Sequence, residues 1–227
     1  MERPRPEIHM DRACARLREG KFKEAINEYK RAIEVDPENA LAHKSLGSIY
    51  YRQTKLDEAI TEYKKAIEAN PLYADAHYEL GIALYRRGLL EEAIKSFDKA
   101  LEINPNFHIA RYWLGLSHYY IGKLKEAVEE FKAALAKEPK IAIALYHMGI
   151  ALAREGKTGE AIKAFEKFLD KCPNSATAHY HLGVAYHSKG DIEKAIRHFK
   201  KAVELDPSDE RSKKNLAMLE EIKSRFF

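Results

Sequence analysis

The sequence is poor in the residues that disulfide-rich, metal-binding and membrane proteins depend on. Its 227 residues include only two cysteines, Cys14 and Cys172, which stand too far apart to suggest a disulfide framework or a metal knuckle. No apolar run approaches the roughly 18 residues that a membrane-spanning helix needs, and the opening residues lack the apolar segment of a signal peptide. We therefore expect a reduced, cytoplasmic protein that does not insert into a membrane.

Charge of either sign is not concentrated in one part of the chain. Lys and Arg number 39 and Asp and Glu number 35, which gives a formal net charge of +4. Nucleic-acid binding depends mainly on basic residues clustered on one face. Aromatic and arginine side chains could stack on single-stranded nucleic acid, but Asp75 and Glu79 lie beside them. The composition therefore argues against a nucleic-acid partner.

The dominant feature of the sequence is a strict 34-residue period. Prolines, glycines, alanines and aromatic residues all recur at this step, and four independent residue classes do not share one spacing by chance. The recurring residues are Pro37, Pro71, Pro105, Pro139, Pro173 and Pro207; Gly47, Gly81, Gly115, Gly149 and Gly183; Ala25, Ala59, Ala93, Ala127, Ala161 and Ala195; and Tyr29, Tyr63, Phe97, Phe131, Phe165 and Phe199. The chain therefore consists of tandem copies of one structural unit.

Each unit is predicted to contain two helices. Two apolar-periodic stretches lie between successive prolines, and a short break at Gly88 and its equivalents separates them, with Thr54 as the exception. Proline ends the second helix because it lacks an N–H group and disfavours the α conformation of the preceding residue. A glycine inside the first helix costs about 1 kcal/mol relative to alanine. We attribute it to close approach of the second helix, with its small alanine opposite and its aromatic residue filling the gap.

This pattern resembles the tetratricopeptide repeat (TPR) family, whose signature is the Leu-Gly pair of the first helix followed by the alanine, the aromatic residue and the proline. The resemblance implies an all-α, right-handed superhelical solenoid of six helix-turn-helix units with a C-terminal capping helix. The predicted segments are an N-terminal extension at 1–5, repeats at 6–39, 40–73, 74–107, 108–141, 142–175 and 176–209, and the cap at 210–227.

The chain departs from the family pattern in three places. The first unit has Arg12-Ala13 where the others have Leu-Gly or Met-Gly, so we expect its first helix to act as an N-terminal cap. Phe168 stands where the other units have alanine, which leaves the local helix angle open. The bulky aromatic residue that the family places four positions before the glycine is replaced by His43, His77, Arg111, Leu145 and His179.

Residues 210–227 are predicted to form the helix that covers the last repeat. Leu216, Leu219, Ile222 and Phe226 recur there at three- and four-residue steps. A solenoid needs a terminal element with a polar outer face, because its last unit would otherwise leave its packing face in water. The alternative for the closing Phe226-Phe227 pair is an exposed adhesive tail.

On a helical wheel, the face of the first helices that lies opposite their packed face is largely apolar. By resemblance to the family, this face lines the concave inner surface of the superhelix. Branched aliphatic residues occupy its middle from the third unit onward, and aromatic and histidine residues flank them. The candidate peptide-binding residues are Tyr78, Ile82, Tyr85, Ile109, Tyr112, Trp113, Leu116, Tyr120, Ile143, Tyr146, His147, Ile150, Tyr180, His181 and Val184. We expect a groove for an apolar or amphipathic segment of another protein.

Two other interpretations of this apolar strip stay open. The tyrosines three residues before the glycine lie near the edge of the packed face and could serve packing between repeats. The aliphatic row could instead be covered by the C-terminal helix or by a second copy of the chain. The functional alternative to a partner groove is therefore a self-assembling, homo-oligomeric structural protein.

Arginines recur five residues after the glycine, at the far edge of the predicted groove, as Arg52, Arg86 and Arg154. They could bind carboxylates of a bound peptide, or they could simply be solvated. Some family members hold a C-terminal carboxylate with a Lys and an Asn on one helix, and this chain matches that set only at Lys44. Recognition of chaperone tails by such a clamp is therefore not expected.

Sequence patterns for catalysis or for a metal site are missing. His179, His181 and His187 share one helix at steps that do not suit a single metal ion, and a cross-repeat pair of His147 with His181 lacks a third ligand. The sequence contains no glycine-rich phosphate loop or nucleophile elbow. We predict a non-catalytic scaffold that binds a protein or peptide and requires no metal or cofactor.

Overall fold

A computed structural model describes residues 5–138 and 141–226 of the chain, and within these ranges it contains thirteen α-helices and no β-strand. The helices are α1 (Pro6–Arg18), α2 (Phe22–Val35), α3 (Ala40–Arg52), α4 (Leu56–Ala69), α5 (Ala74–Arg87), α6 (Leu90–Ile103), α7 (His108–Tyr120), α8 (Leu124–Lys137), α9 (Ala142–Arg154), α10 (Thr158–Lys171), α11 (Ala176–Ser188), α12 (Ile192–Leu205) and α13 (Glu210–Phe226). The predicted all-α fold is confirmed. The predictions for residues 1–4, Pro139 and the Phe226-Phe227 side chains lie outside the described residues.

The break between the two helices of a repeat is a residue with left-handed backbone. Gly88 ends α5 with φ of 84°, and its N–H group and that of Leu89 bond to carbonyl groups in the last turn of α5. Glycine suits this conformation because it has no Cβ. Thr54 adopts the same conformation with φ of 62°, which is uncommon for a β-branched residue. The turn geometry is therefore kept even where the sequence lacks the glycine.

The second helices end where the prolines predict. Asn70 closes α4 and Asn104 closes α6, both with extended backbone, and the next residues are Pro71 and Pro105. Each asparagine side chain then accepts a hydrogen bond from the backbone N–H two residues on, at 3.1 Å. These short turns connect one repeat to the next because they satisfy the backbone groups that the helix end leaves open.

The glycine of the first helix faces the aromatic ring of the second helix. A Cβ atom at Gly149 would lie 2.6 Å from Cε1 of Phe165, and one at Gly81 would lie 2.5 Å from Cε1 of Phe97. Both rings are fully buried. Close approach was the predicted reason for the glycine, but the partner that excludes a side chain at these two positions is the aromatic ring and not the alanine.

The chain divides into two compact units, Met1–Ser117 (unit 1) and His118–Phe227 (unit 2). The division falls within α7 and inside the repeat predicted at 108–141. In unit 1 consecutive helices from α1 to α6 pack in pairs. Tyr63, Phe97 and Leu84 are fully buried in its core.

Unit 2 packs consecutive helices from α8 to α13. Phe165, Phe199 and Leu182 form the centre of its core. The terminal helix α13 buries Leu219 completely in that cluster, so it covers α12 as the predicted capping helix would. Phe168, the departure from the repeat pattern, is also buried and contacts Leu145.

Candidate peptide-binding surfaces

The candidate residues lie on the first helices of the repeats and are shared between the two units. In unit 1 the first-helix face comprises Arg52 on α3, Tyr78, Ile82, Tyr85 and Arg86 on α5, and Ile109, Tyr112, Trp113 and Leu116 on α7. In unit 2 it comprises Tyr120 on α7, Ile143, Tyr146, His147, Ile150 and Arg154 on α9, and Tyr180, His181 and Val184 on α11.

The row directly after the glycine is not the exposed floor that the helical wheel predicts. Ile82 is only 7% exposed and Leu116 only 5% exposed, and Tyr112 is buried as well. Ile82 belongs to the core cluster of unit 1, against which Tyr51 of α3 and Trp113 of α7 also pack. The expectation that these residues meet water is therefore wrong.

In unit 2 the same row is half-buried. Ile150 and Val184 both pack against the core cluster of that unit and keep only part of their surface in solvent. The aliphatic residues that remain exposed belong to the row six positions before the glycine, where Ile109 is 37% and Ile143 is 41% exposed. Leu41 continues this row in unit 1 and is exposed too. The exposed apolar surface is thus narrower than predicted.

The aromatic residues of unit 1 form two groups of ring contacts. Tyr85 meets Trp113 edge to face with ring centroids 5.2 Å apart, and Trp113 meets Tyr112 in the same way at 5.5 Å. Tyr78 packs on Phe107 at 4.7 Å. These rings pack against their neighbours, as the packing interpretation of the tyrosines expects. Tyr78, Tyr85 and Trp113 nevertheless keep part of their surface in solvent.

Burial raises the pKa of the Tyr78 hydroxyl. Its half-buried position, together with the nearby Glu79 carboxylate, raises that pKa to about 12. The hydroxyl is neutral at physiological pH, as an ordinary tyrosine is, and can donate a hydrogen bond. Glu79 itself accepts a hydrogen bond from the Tyr63 hydroxyl of α4 at 3.2 Å, which fixes the position of this carboxylate.

Unit 2 presents alternating tyrosine and histidine rings. His181 stacks on Phe165 with ring centroids 5.8 Å apart and lies edge to face with Tyr146 at 5.7 Å. His147 donates from Nδ1 to the carbonyl oxygen of Ile143 at 3.1 Å. Burial lowers the pKa of both His147 and His181, so both rings are neutral at pH 7. They contribute flat, uncharged surface.

The predicted basic edge consists of arginines stacked on aromatic rings. The Arg86 guanidinium lies 4.8 Å from the ring centroid of Tyr51, and that of Arg154 lies 4.7 Å from Tyr119. Arg52 lies over Phe22 at 5.5 Å. Within the described residues, none of these three arginines forms an ion pair with a carboxylate. Stacking holds a guanidinium in place while leaving its N–H edge available.

Sequence reasoning missed two features of this surface. The stacks of Arg86 and Arg154 join residues 35 positions apart, and that spacing was the signal in the sequence. Two of the histidines four residues before the glycine, His43 and His179, also have a partner 19 residues later on the second helix. His43 contacts Glu62 at 2.6 Å, and in unit 2 the equivalent His179 contacts His198 with 3.0 Å between their Nδ1 atoms.

The described ranges contain neither a metal-binding cluster nor a membrane-spanning helix. No group of three or more His, Cys, Asp or Glu side chains there is arranged to hold a metal ion. Every helix in those ranges is too short or too polar to cross a lipid bilayer.

The repeat pattern and the paired helices match a known family. The model for the tetratricopeptide repeat matches residues 10–71, 50–106, 112–176 and 148–210. The chain belongs to the tetratricopeptide repeat family. Family membership indicates a protein-interaction scaffold. Comparison with curated proteins gives no match.

Several solved structures resemble the chain in fold. YrrB, a TPR protein with an unusual peptide-binding site, is 27% identical with a TM-score of 0.74, over 81% of this chain and 95% of YrrB. MamA 41-end from Desulfovibrio magneticus RS-1 is 29% identical with a TM-score of 0.71, over 75% of this chain and 97% of that one. PilF from Pseudomonas aeruginosa has a TM-score of 0.76 over 94% and 97% of the two chains, and its 20% identity supports likeness of fold alone.

Proposed function

We propose that the first-helix faces bind a segment of another protein and that the TPR chain is a non-catalytic interaction scaffold. The observation that carries this proposal is that the first helices have exposed aliphatic side chains in their first turn and, in their last turn, stacked arginines that have no carboxylate partner. In unit 1 these are Ile109 with Arg52 and Arg86, and in unit 2 they are Ile143 with Arg154. The structure of YrrB, a TPR protein with an unusual peptide-binding site, supports a peptide as the class of ligand.

The two kinds of side chain define the chemistry of the partner. Exposed isoleucines gain by covering apolar surface, and the half-buried tyrosines and Trp113 add rigid contact area at low entropic cost. A guanidinium that is already held by a ring loses little freedom when it binds a carboxylate. We therefore expect a segment that carries apolar side chains for the isoleucines and acidic side chains for the arginines.

The test uses an Ile109→Glu, Ile143→Glu double variant of the full chain. Each isoleucine has about two-fifths of its surface exposed, so covering both contributes roughly 2 kcal/mol, and a carboxylate there would also have to be desolvated. Partner capture from native lysate, followed by titration with the captured partner, should weaken at least tenfold. The melting temperature should change little, because exposed positions tolerate substitution.

The matched control is a Leu89→Glu, Met218→Glu double variant. Leu89 in unit 1 is 42% exposed and Met218 in unit 2 is 40% exposed, so the control adds the same charges to equally exposed apolar positions that are not among the first-helix-face residues. Retained capture by the Ile109/Ile143 variant would refute the proposal. A concentration-dependent mass in light scattering that only this variant shifts to monomer would instead support the homo-oligomer.

A further inference from the structure

Unit 2 contains a cleft between α8, α9 and α10. Its volume is about 390 Å³. It is lined by Lys132, Leu135 and Ala136 of α8, Leu145, Met148 and Leu152 of α9, and Glu160, Lys163, Ala164 and Lys167 of α10. None of the first-helix-face residues defined above lines it. Binding here would therefore not compete directly for the residues of the first-helix face.

Unit 1 contains a cleft at the equivalent repeat positions, which provides an internal comparison. That cleft is lined by Lys30, Ile33, Glu34, His43, Leu46, Tyr50, Glu58, Thr61, Glu62 and Lys65, each three repeats before its counterpart in unit 2. His43 and Glu62 contact each other at its floor, and Glu62 also pairs with Lys65 at 3.1 Å. The polar groups of the unit 1 cleft therefore largely satisfy one another.

The unit 2 cleft has lost these polar partners. Leu145 replaces the histidine and Ala164 replaces the glutamate, so the floor is aliphatic and includes the half-buried, adaptable Met148. Ala136 stands where unit 1 has Glu34. An apolar floor that is only partly covered favours a ligand that brings an apolar side chain.

Charge at the rim of the unit 2 cleft has one predominant sign. Lys132, Lys163 and Lys167 are exposed and Glu160 is the one acidic residue in the lining, whereas the unit 1 cleft carries two lysines and three glutamates. Over the described part of the chain, none of these three unit 2 lysines forms an ion pair. Unpaired positive charge around an apolar floor is complementary to an acidic ligand.

We propose that the unit 2 cleft is a second docking site, which takes an acidic segment of a partner protein that inserts an apolar side chain between the lysines. The aliphatic floor formed by Leu135, Leu145 and Met148 would contact the inserted side chain. Lys132, Lys163 and Lys167 would pair with aspartates or glutamates that flank it. This site goes beyond the first-helix faces and does not depend on their proposed function.

The test selects binders from a random dodecapeptide library displayed on phage, using the full wild-type chain. Phage that also bind a Lys132→Glu, Lys167→Glu variant are then removed, and the phage that remain form the lysine-dependent class. Both substitutions are at exposed positions outside the core. We expect the peptides of the lysine-dependent class to carry Asp or Glu around Leu, Met or Phe. A synthetic peptide of that class should bind the variant at least tenfold more weakly.

The control variant reverses the equivalent lysines of unit 1, Lys30→Glu with Lys65→Glu, which should leave affinity within twofold of wild type. Circular dichroism checks that both variants are folded. Equal weakening by both variants would show general charge attraction and overturn the proposal. Selection that yields no lysine-dependent class, or a lysine-dependent class whose peptides lack acidic residues, would overturn the proposal too. Because the variants leave Ile109 and Ile143 intact, failure here is distinguishable from failure of the first-helix faces.

Discussion

Replacing Gly149 with alanine tests the close helix packing on which each repeat depends. The new Cβ would lie 2.6, 2.8 and 2.9 Å from Cε1, Cδ1 and Cζ of Phe165, so the ring must move by several tenths of an ångström in a site that is fully buried. Overpacking of this kind costs about 1–3 kcal/mol, and better helix propensity returns about 1 kcal/mol at most. We expect a net loss of up to about 2 kcal/mol in the free energy of unfolding, measured by urea titration.

Gly159 provides the matched control for Gly149. It lies in α10 of the same repeat, and a Cβ there meets nothing within 4 Å. Gly159→Ala should therefore raise stability by about 0.5–1 kcal/mol. A Phe165→Leu substitution removes ring atoms from the contact, so Gly149→Ala should cost less in that background than in wild type. A Gly149→Ala protein as stable as Gly159→Ala would refute this packing argument.

Two further predictions concern stability. Leu116→Glu should lower the free energy of unfolding by several kcal/mol, because the carboxylate would occupy a site that is only 5% exposed. An unchanged melting temperature would show that the Leu116 side chain is exposed to solvent and would contradict this prediction. Burial and the adjacent His179 lower the pKa of His198 from 6.5 to about 4, so its neutral form is favoured in the folded state and stability should fall as pH drops from about 6.5 towards 4. The loss should be of order 1 kcal/mol after allowance for solvent screening. His198→Glu recreates the His43–Glu62 pair of unit 1 and should remove this loss in urea titrations at pH 7.5 and 4.5; a loss that persists in the variant would contradict the assignment.

The repeat spacing was sufficient to predict the helices and their ends. Proline and the left-handed glycine act locally, through a missing N–H group and a missing Cβ, so their effect does not depend on the rest of the fold. Thr54 shows that the turn persists even without the glycine, with φ of 62°. Periodicity therefore predicted architecture well because each structural signal was local and was repeated six times.

The candidate surface was harder to predict because it depends on distances between repeats. A helical wheel gives the direction of Ile82, but it does not show that the side chain is buried in the core cluster that neighbouring repeats share. The stacking of Arg86 on Tyr51 likewise joins two repeats and is invisible within either one. Sequence reasoning placed the arginines at an edge, and the structure adds the rings that hold them there.

The central claim is that the first-helix faces contact a partner protein, and site-specific photo-cross-linking tests it most directly. A benzophenone amino acid at Ile109 or Ile143 should form a covalent product with another protein when the labelled chain is irradiated in native lysate. The same group at Leu89 or Met218, which are about equally exposed, should give no such product. Products from the two control positions without products from Ile109 and Ile143, or products that join only two copies of this chain, would contradict the account.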